Sequence, residues 1–223
     1  MLDVNLNKTE VRVVGALVEK SLATPEYYPL TLKALTAACN QKSNRDPVMQ
    51  LDEKDVVRSL DSLREMKLAW MVHQAGARAP KYEHRVDEVF GLDELSLAVM
   101  CELMVRGPQT LGELRSHAGR FGGIRDRQEV EDIVDELENR DGGALVARLP
   151  RQPGRKESRY CHLLAGEPEA VTHEEPVAAT EPARQQVEAE NRRVTELADE
   201  LAALRQEIDD LRREFDSFRR QFE

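Results

Sequence analysis

The stretch PLTLKAL, Pro29 to Leu35, is written a second time as PQTLGEL, Pro108 to Leu114. Both read Pro-x-Thr-Leu-x-x-Leu, with Thr31 and Thr110 placed to cap a helix by accepting a hydrogen bond from its first free amides. In the second copy Glu113 follows the threonine by three residues and completes a capping box. Seven residues can agree by chance, so the flanks decide whether this is a repeat.

The flanks correspond. Upstream, Val11, Val14, Leu17 and Val18 lie on one helical face, and Leu97, Met100, Leu103 and Met104 have the same spacing. Downstream, Val56, Leu60 and Leu63 step by four and three, as do Val130, Val134 and Leu137. β-type runs follow, LAWMV at 68–72 and ALVARL at 144–149, then turn-forming Ala75-Gly76 and Pro153-Gly154. Each copy closes on a return strand, KYEH at 81–84 and RYCH at 159–162. The first connection is longer, LATPEYY against a direct Gly107-Pro108 step, a difference that related units tolerate.

Helix, helix, helix, strand, turn, strand is the layout of a winged helix-turn-helix domain. The expected fold class is therefore mainly α with small β-hairpins. Two tandem winged helix-turn-helix domains occupy 1–89 and 90–166, a flexible acidic linker 167–183, and a C-terminal coiled-coil helix 184–223. Another small α+β unit of three amphipathic helices and a hairpin fits one copy; agreement between two copies favours the winged helix.

The runs NKTEVRVVGALVEKS, CNQKSNRDPVMQLDEKDVVRSLDSL and GPQTLGELR also resemble the bacterial YceH-like family, over residues 1 to about 166. The resemblance implies a tandem winged-helix architecture and a regulatory or DNA-binding role. It implies no enzyme activity.

The net charge of −10 is unevenly spread. Residues 1–90 carry 13 basic and 13 acidic groups, residues 91–166 carry 11 and 13, and the tail from 167 carries 8 and 16. The body is near neutral, so its charge does not exclude a nucleic-acid partner. Cys39, Cys101 and Cys161 are odd in number and widely spaced, which argues against disulfides or a zinc site. No run is long enough to span a membrane, and MLDVNLNKTE lacks the features of a secretion signal, so the expected location is cytoplasmic.

In a helix-turn-helix the third helix enters the major groove while nearby donors hold phosphates. The candidate DNA contacts are Lys42, Ser43, Asn44 and Arg45 in the loop before the first third helix, and Lys54 and Arg58 on that helix. In the second copy they are Arg125 and Arg127, with Arg151, Arg155 and Lys156 in the basic hairpin RLPRQPGRKESRY. The second third helix, QEVEDIVDELENR, is acidic and a poor groove reader. The bland alternatives are a solvated surface and, for KSNRDP, a turn bonded to its own backbone. Tyr82 and Tyr160 are expected to pack on the helices, with His84 and His162 as strand residues. No phosphate loop, zinc motif or ligand spacing among the five histidines appears, so neither an enzyme nor a cofactor is expected.

The segment GEPEAVTHEEPVAATEPA, with three prolines and five acids, reads as a linker. Beyond it Val187, Val194, Leu201, Ile208, Phe215 and Phe222 fall seven apart, and Leu197, Leu204, Leu211 and Phe218 sit three after the middle four. These are heptad a and d positions, interrupted by Glu190. Glu200, Glu207 and Glu214 at g face Arg205, Arg212 and Arg219 at e of a parallel partner, so a parallel homodimer is expected. An amphipathic helix lying on its own protein is the alternative. The expected function is a DNA-binding transcriptional regulator, a dimer using its tandem winged helices on double-stranded DNA, which the basic loops favour; the alternative is a scaffold of the chromosome-segregation type that binds a protein partner and not DNA, which the acidic helix favours.

Overall fold

The computed structural model describes residues 4–73, 79–151, 154 and 157–166, all within one compact unit. The linker, the heptad segment with Val194, Leu197, Leu201, Leu204, Ile208, Leu211, Phe215 and Phe218, and also Arg155 and Lys156, lie outside the described residues. What is described is mainly helical, with two small antiparallel sheets.

Helix α1 (Lys8–Ala23) leads through a 3-10 turn at Pro25–Tyr27 to the short strand β1 (Leu30–Thr31). Then come α2 (Leu32–Cys39), α3 (Glu53–Glu65), β2 (Ala69–Val72), β3 (Lys81–His84) and the short α4 (Val86–Phe90). The order resumes with α5 (Glu94–Arg106), α6 (Leu111–Ala118), a 3-10 turn at Gly119–Phe121, α7 (Arg127–Asn139), β4 (Val146–Arg148) and β5 (Tyr160–His162). Both expected threonine caps form: Thr31 Oγ1 accepts from the Ala34 amide at 3.3 Å, and Thr110 and Glu113 make the reciprocal box. A side-chain cap of this kind stabilises a helix by about 1 kcal/mol.

The first sheet has the order β1-β3-β2, with Tyr82 between Leu30 and Met71. In the second, β4 pairs β5, and Gln109 takes the place of a third strand through two backbone hydrogen bonds to Tyr160, 3.0 and 2.7 Å. Neither β1 nor α4 was expected from the sequence. Gly91 ends α4 at φ 61, the left-handed conformation that glycine adopts without strain, and turns the chain into α5.

A single apolar core runs through both repeats. Its middle is the contact of α1 with α5, the most extensive between helices. Val11, Val13, Val14, Ala16, Leu17 and Val18 are all buried, so α1 is covered on every side, as is α5 from Leu97 to Val105. Gly15 sets how closely they approach. A Cβ there would lie 3.0 Å from Met104 Cβ and 3.1 Å from Val105 Cγ1, and the Cys101 thiol points at the Gly15 carbonyl, 3.9 Å away.

Candidate functional site

The loop between α2 and α3 carries the first set of sequence candidates, and it is tied down. Asn40 forms a two-way clasp with Leu51, donating to its carbonyl and accepting from its amide, both at 2.8 Å. The Asp46 amide donates to the Val105 carbonyl at the end of α5, and Arg12 reaches the Pro47 carbonyl at 2.8 Å. Asn44 has φ 58, a left-handed geometry that asparagine tolerates better than most residues, and its side-chain oxygen accepts from Arg106. Lys42 and Ser43 are exposed at the tip.

Arg45 corrects the sequence reading. Its side chain is 0% exposed and pairs with Glu19 at 2.5 Å. It donates to the Ala38 carbonyl and to Gln41, and it is not presented to a phosphate. Asn44 is half-buried and spent on Arg106. Of the four candidates in this loop, only Lys42 and Ser43 face outward.

Arg45 belongs to a charge network at the seam between the repeats. Arg120, from the turn after α6, bridges Glu19 of α1 and Glu102 of α5 at 2.8 Å each, and Arg106 pairs with Glu102 at 2.8 Å. The contacts on Glu102 are short but misaligned, charge pairs more than directed hydrogen bonds. Burial pushes the Glu19 carboxyl up, but the hydrogen bond and charge of Arg45, with Lys20 and Arg120 behind them, outweigh it and hold the group below its ordinary range. Arg120 is lowered by burial and raised more strongly by Glu102 and Glu19, so it stays charged. Arg12 is pushed down by burial and by the neighbouring Arg45, and its guanidinium is held by the carbonyls of Cys39, Pro47 and Val105.

The third helices are the expected groove readers. On α3, Lys54 and Arg58 are exposed, but the helix carries four acids against three bases, and Arg58 and Arg64 lie near Asp55 and Asp61 at 3.7 and 3.4 Å. Helix α7 carries six acids against Arg127 alone. Arg125 is exposed and pairs with Glu129 at 3.0 Å, while Arg127 reaches Glu157 at 2.8 Å. Exposed pairs of this kind are worth less than about 1 kcal/mol and do not disable an arginine, but the carboxylates are fixed features of the surface.

The second hairpin does bring basic residues together. Arg127, Arg148 and Arg151 line a cleft of 180 Å³ with Tyr160, shared with Glu131 and Glu157. Of the first sheet, Trp70 stands out: it is 54% exposed, with the Arg85 guanidinium 6.0 Å from its ring centre. Sequence reading passed over it, although a tryptophan in a short strand opposite Glu83 was a visible signal.

Tyr160 is buried and Tyr82 packs against the core, as the sequence suggested. The histidines do more than fill strands. His84 Nε2 lies 2.8 Å from Ser21 Oγ, and its Nδ1 lies 3.3 Å from Asp87, a serine-histidine-aspartate order that no motif announces. The serine proton, however, is donated to the Val18 carbonyl at 2.8 Å. His84 must then donate from Nε2, leaving Nδ1 bare toward Asp87. Burial pushes His84 down, which keeps it neutral although Asp87 pulls the other way. All three cysteines are free and buried, and burial raises Cys39 to about 12, so none is a ready thiolate. Among the described residues no group of three His, Cys, Asp or Glu could hold a metal, and no helix is long and apolar enough to cross a membrane.

Comparison with known proteins gives one consistent result. Residues 6–155 match the family described as "Protein of unknown function, DUF480". A UPF0502 protein of Geobacter metallireducens is 60% identical over 196 residues, 88% of each chain. Another from Geobacter sulfurreducens is 54% identical over 203 residues, 91% of each, and one from Opitutus terrae is 47% identical over 200 residues, 90% of this chain and 83% of the relative. With the family model covering most of the described body and relatives covering nearly the whole chain, this protein belongs to the bacterial DUF480/UPF0502 family.

Proposed function

We propose that the chain is a tandem winged-helix scaffold that binds a protein partner and does not read DNA through its third helices. The observation that carries this is the charge on those helices: six acids to one base on α7, and four to three on α3. A helix laid in the major groove runs between two phosphate rows, and each carboxylate there adds repulsion where affinity depends on neutralising phosphates. The exposed Trp70 beside Arg85 supplies the residue types on which protein interfaces concentrate their binding energy. The reading assigns no catalysis, because the Ser21 hydroxyl donates its hydrogen bond to the Val18 carbonyl and its histidine is buried.

The test is fluorescence anisotropy of the full chain with a duplex at about 50 mM salt, where non-specific binders in the micromolar range are readily seen. No saturable binding is expected. Saturable binding that weakens steeply with salt would reject the scaffold reading. The second reading, a DNA-binding regulator working through loops and hairpins, rests on the exposed Lys42 and on the convergence of Arg127, Arg148 and Arg151. It requires that Lys42→Ala and Arg148→Ala each reduce the slope of log K on log salt by roughly 0.9.

A further inference from the structure

A groove of 620 Å³ lies where the N-terminal segment, α4 and the second hairpin meet. Val4, Val89, Phe90, Leu145, Leu163 and Leu164 form its greasy walls. That volume suits a small organic molecule. Among the described residues one cation lines it, Arg140, and no carboxylate does. Arg140 is half-committed: its Nη2 donates to the Phe90 carbonyl, while its Nη1 is buried with no hydrogen-bond partner among the described residues. A buried guanidinium nitrogen left unpaired beside apolar walls is costly unless something pairs it. Gly143, at φ 100, turns the chain sharply beside this group, and the neighbouring Gly142 adds no side chain to the wall.

We propose that this groove is a binding site for a small carboxylate with an apolar body, the body lying on the Val89–Leu145–Leu163 wall and the carboxylate meeting Arg140. Arg140 lines the groove, and a carboxylate supplies the charged acceptor that its Nη1 lacks. The site lies just past the C-terminal end of α7 and shares no lining residue with the basic cleft or with Trp70, so it stands whether the partner of those surfaces is protein or DNA.

The experiment uses octanoate and 1-octanol, equal in body and different in head, titrated into the isotopically labelled full chain. The backbone amide signals of Gly142, Gly143 and Ala144 report binding. Octanoate shifts them saturably, and 1-octanol binds about 10- to 100-fold more weakly, the range for one hydrogen bond to a charged group. Ala144 is exposed, so Ala144→Trp fills the groove without disturbing the core and abolishes the octanoate response. Arg140→Gln brings octanoate down to the affinity of 1-octanol. No saturable shift up to about 10 mM, a limit of roughly −3 kcal/mol, would overturn the proposal. So would equal affinity for the two probes, or binding that survives Ala144→Trp.

Discussion

Replacing Glu19 by glutamine keeps the side chain's shape and removes its charge from the seam. Arg45, fully buried, then has only neutral acceptors, the Ala38 and Asn44 carbonyls and Gln41. Breaking one side of a buried pair costs about 3–5 kcal/mol, and the retained neutral contacts place this case near 3. The second contact, to Arg120, is partly solvent-screened at 29% exposure and adds well under about 1 kcal/mol. For a body of this size, a 3 kcal/mol loss lowers Tm by roughly 6–12 °C. Urea unfolding followed by circular dichroism measures the loss, and Arg45→Gln with the double variant completes a cycle in which the double costs at least about 1 kcal/mol less than the sum. The pH dependence has a fixed sign. Glu19 is held below its ordinary value of 4.5, so its stabilisation is full above that pH and fades as pH falls from 4.5 through the folded value. A Glu19→Gln cost below about 1 kcal/mol, or strict additivity with Arg45→Gln, would refute a buried, coupled pair.

Four further outcomes follow from the structure. Gly15→Ala gains up to about 1 kcal/mol of helix propensity but sets a methyl 3.0 Å from Met104 Cβ, which cannot rotate away; overpacking of about 1–3 kcal/mol wins and stability falls. Gly112→Ala in α6, whose nearest neighbour is 4.0 Å away, is the control and raises stability by up to about 1 kcal/mol in the same denaturation assay. Burial pushes His162 down to about 4, so between pH 6.5 and 4 the unfolded chain takes up a proton that the fold refuses; stability drops by up to about 3 kcal/mol across that window, and His162→Gln flattens this part of the pH profile. Asn40→Ala removes both bonds to Leu51, costs about 2 kcal/mol, and speeds proteolytic cleavage within residues 41–50.

Periodicity carried the helices because their buried stripes are written in Val and Leu at fixed steps, and the two threonine caps followed from the same lines. Periodicity could not reveal how deeply α1 is enclosed. The run VRVVGALV is apolar on more than one face, and Val13 and Ala16 point away from the stripe chosen from sequence yet are fully buried against the rest of the body. Arg45 was misjudged for a related reason: Lys42, Ser43 and Arg45 look alike as a string of donors, and only the distant partner Glu19 distinguishes the buried one. Strand β1 escaped because two residues have no period, and the Arg140 groove because its walls come from four separate parts of the chain.

The glycine contact between α1 and α5 has a consequence for how the surface can be used. Each of these helices is the other's interior, so the segments on either side of Gly91 cannot swing apart without baring both. Any molecule that grips both segments meets them at a set span.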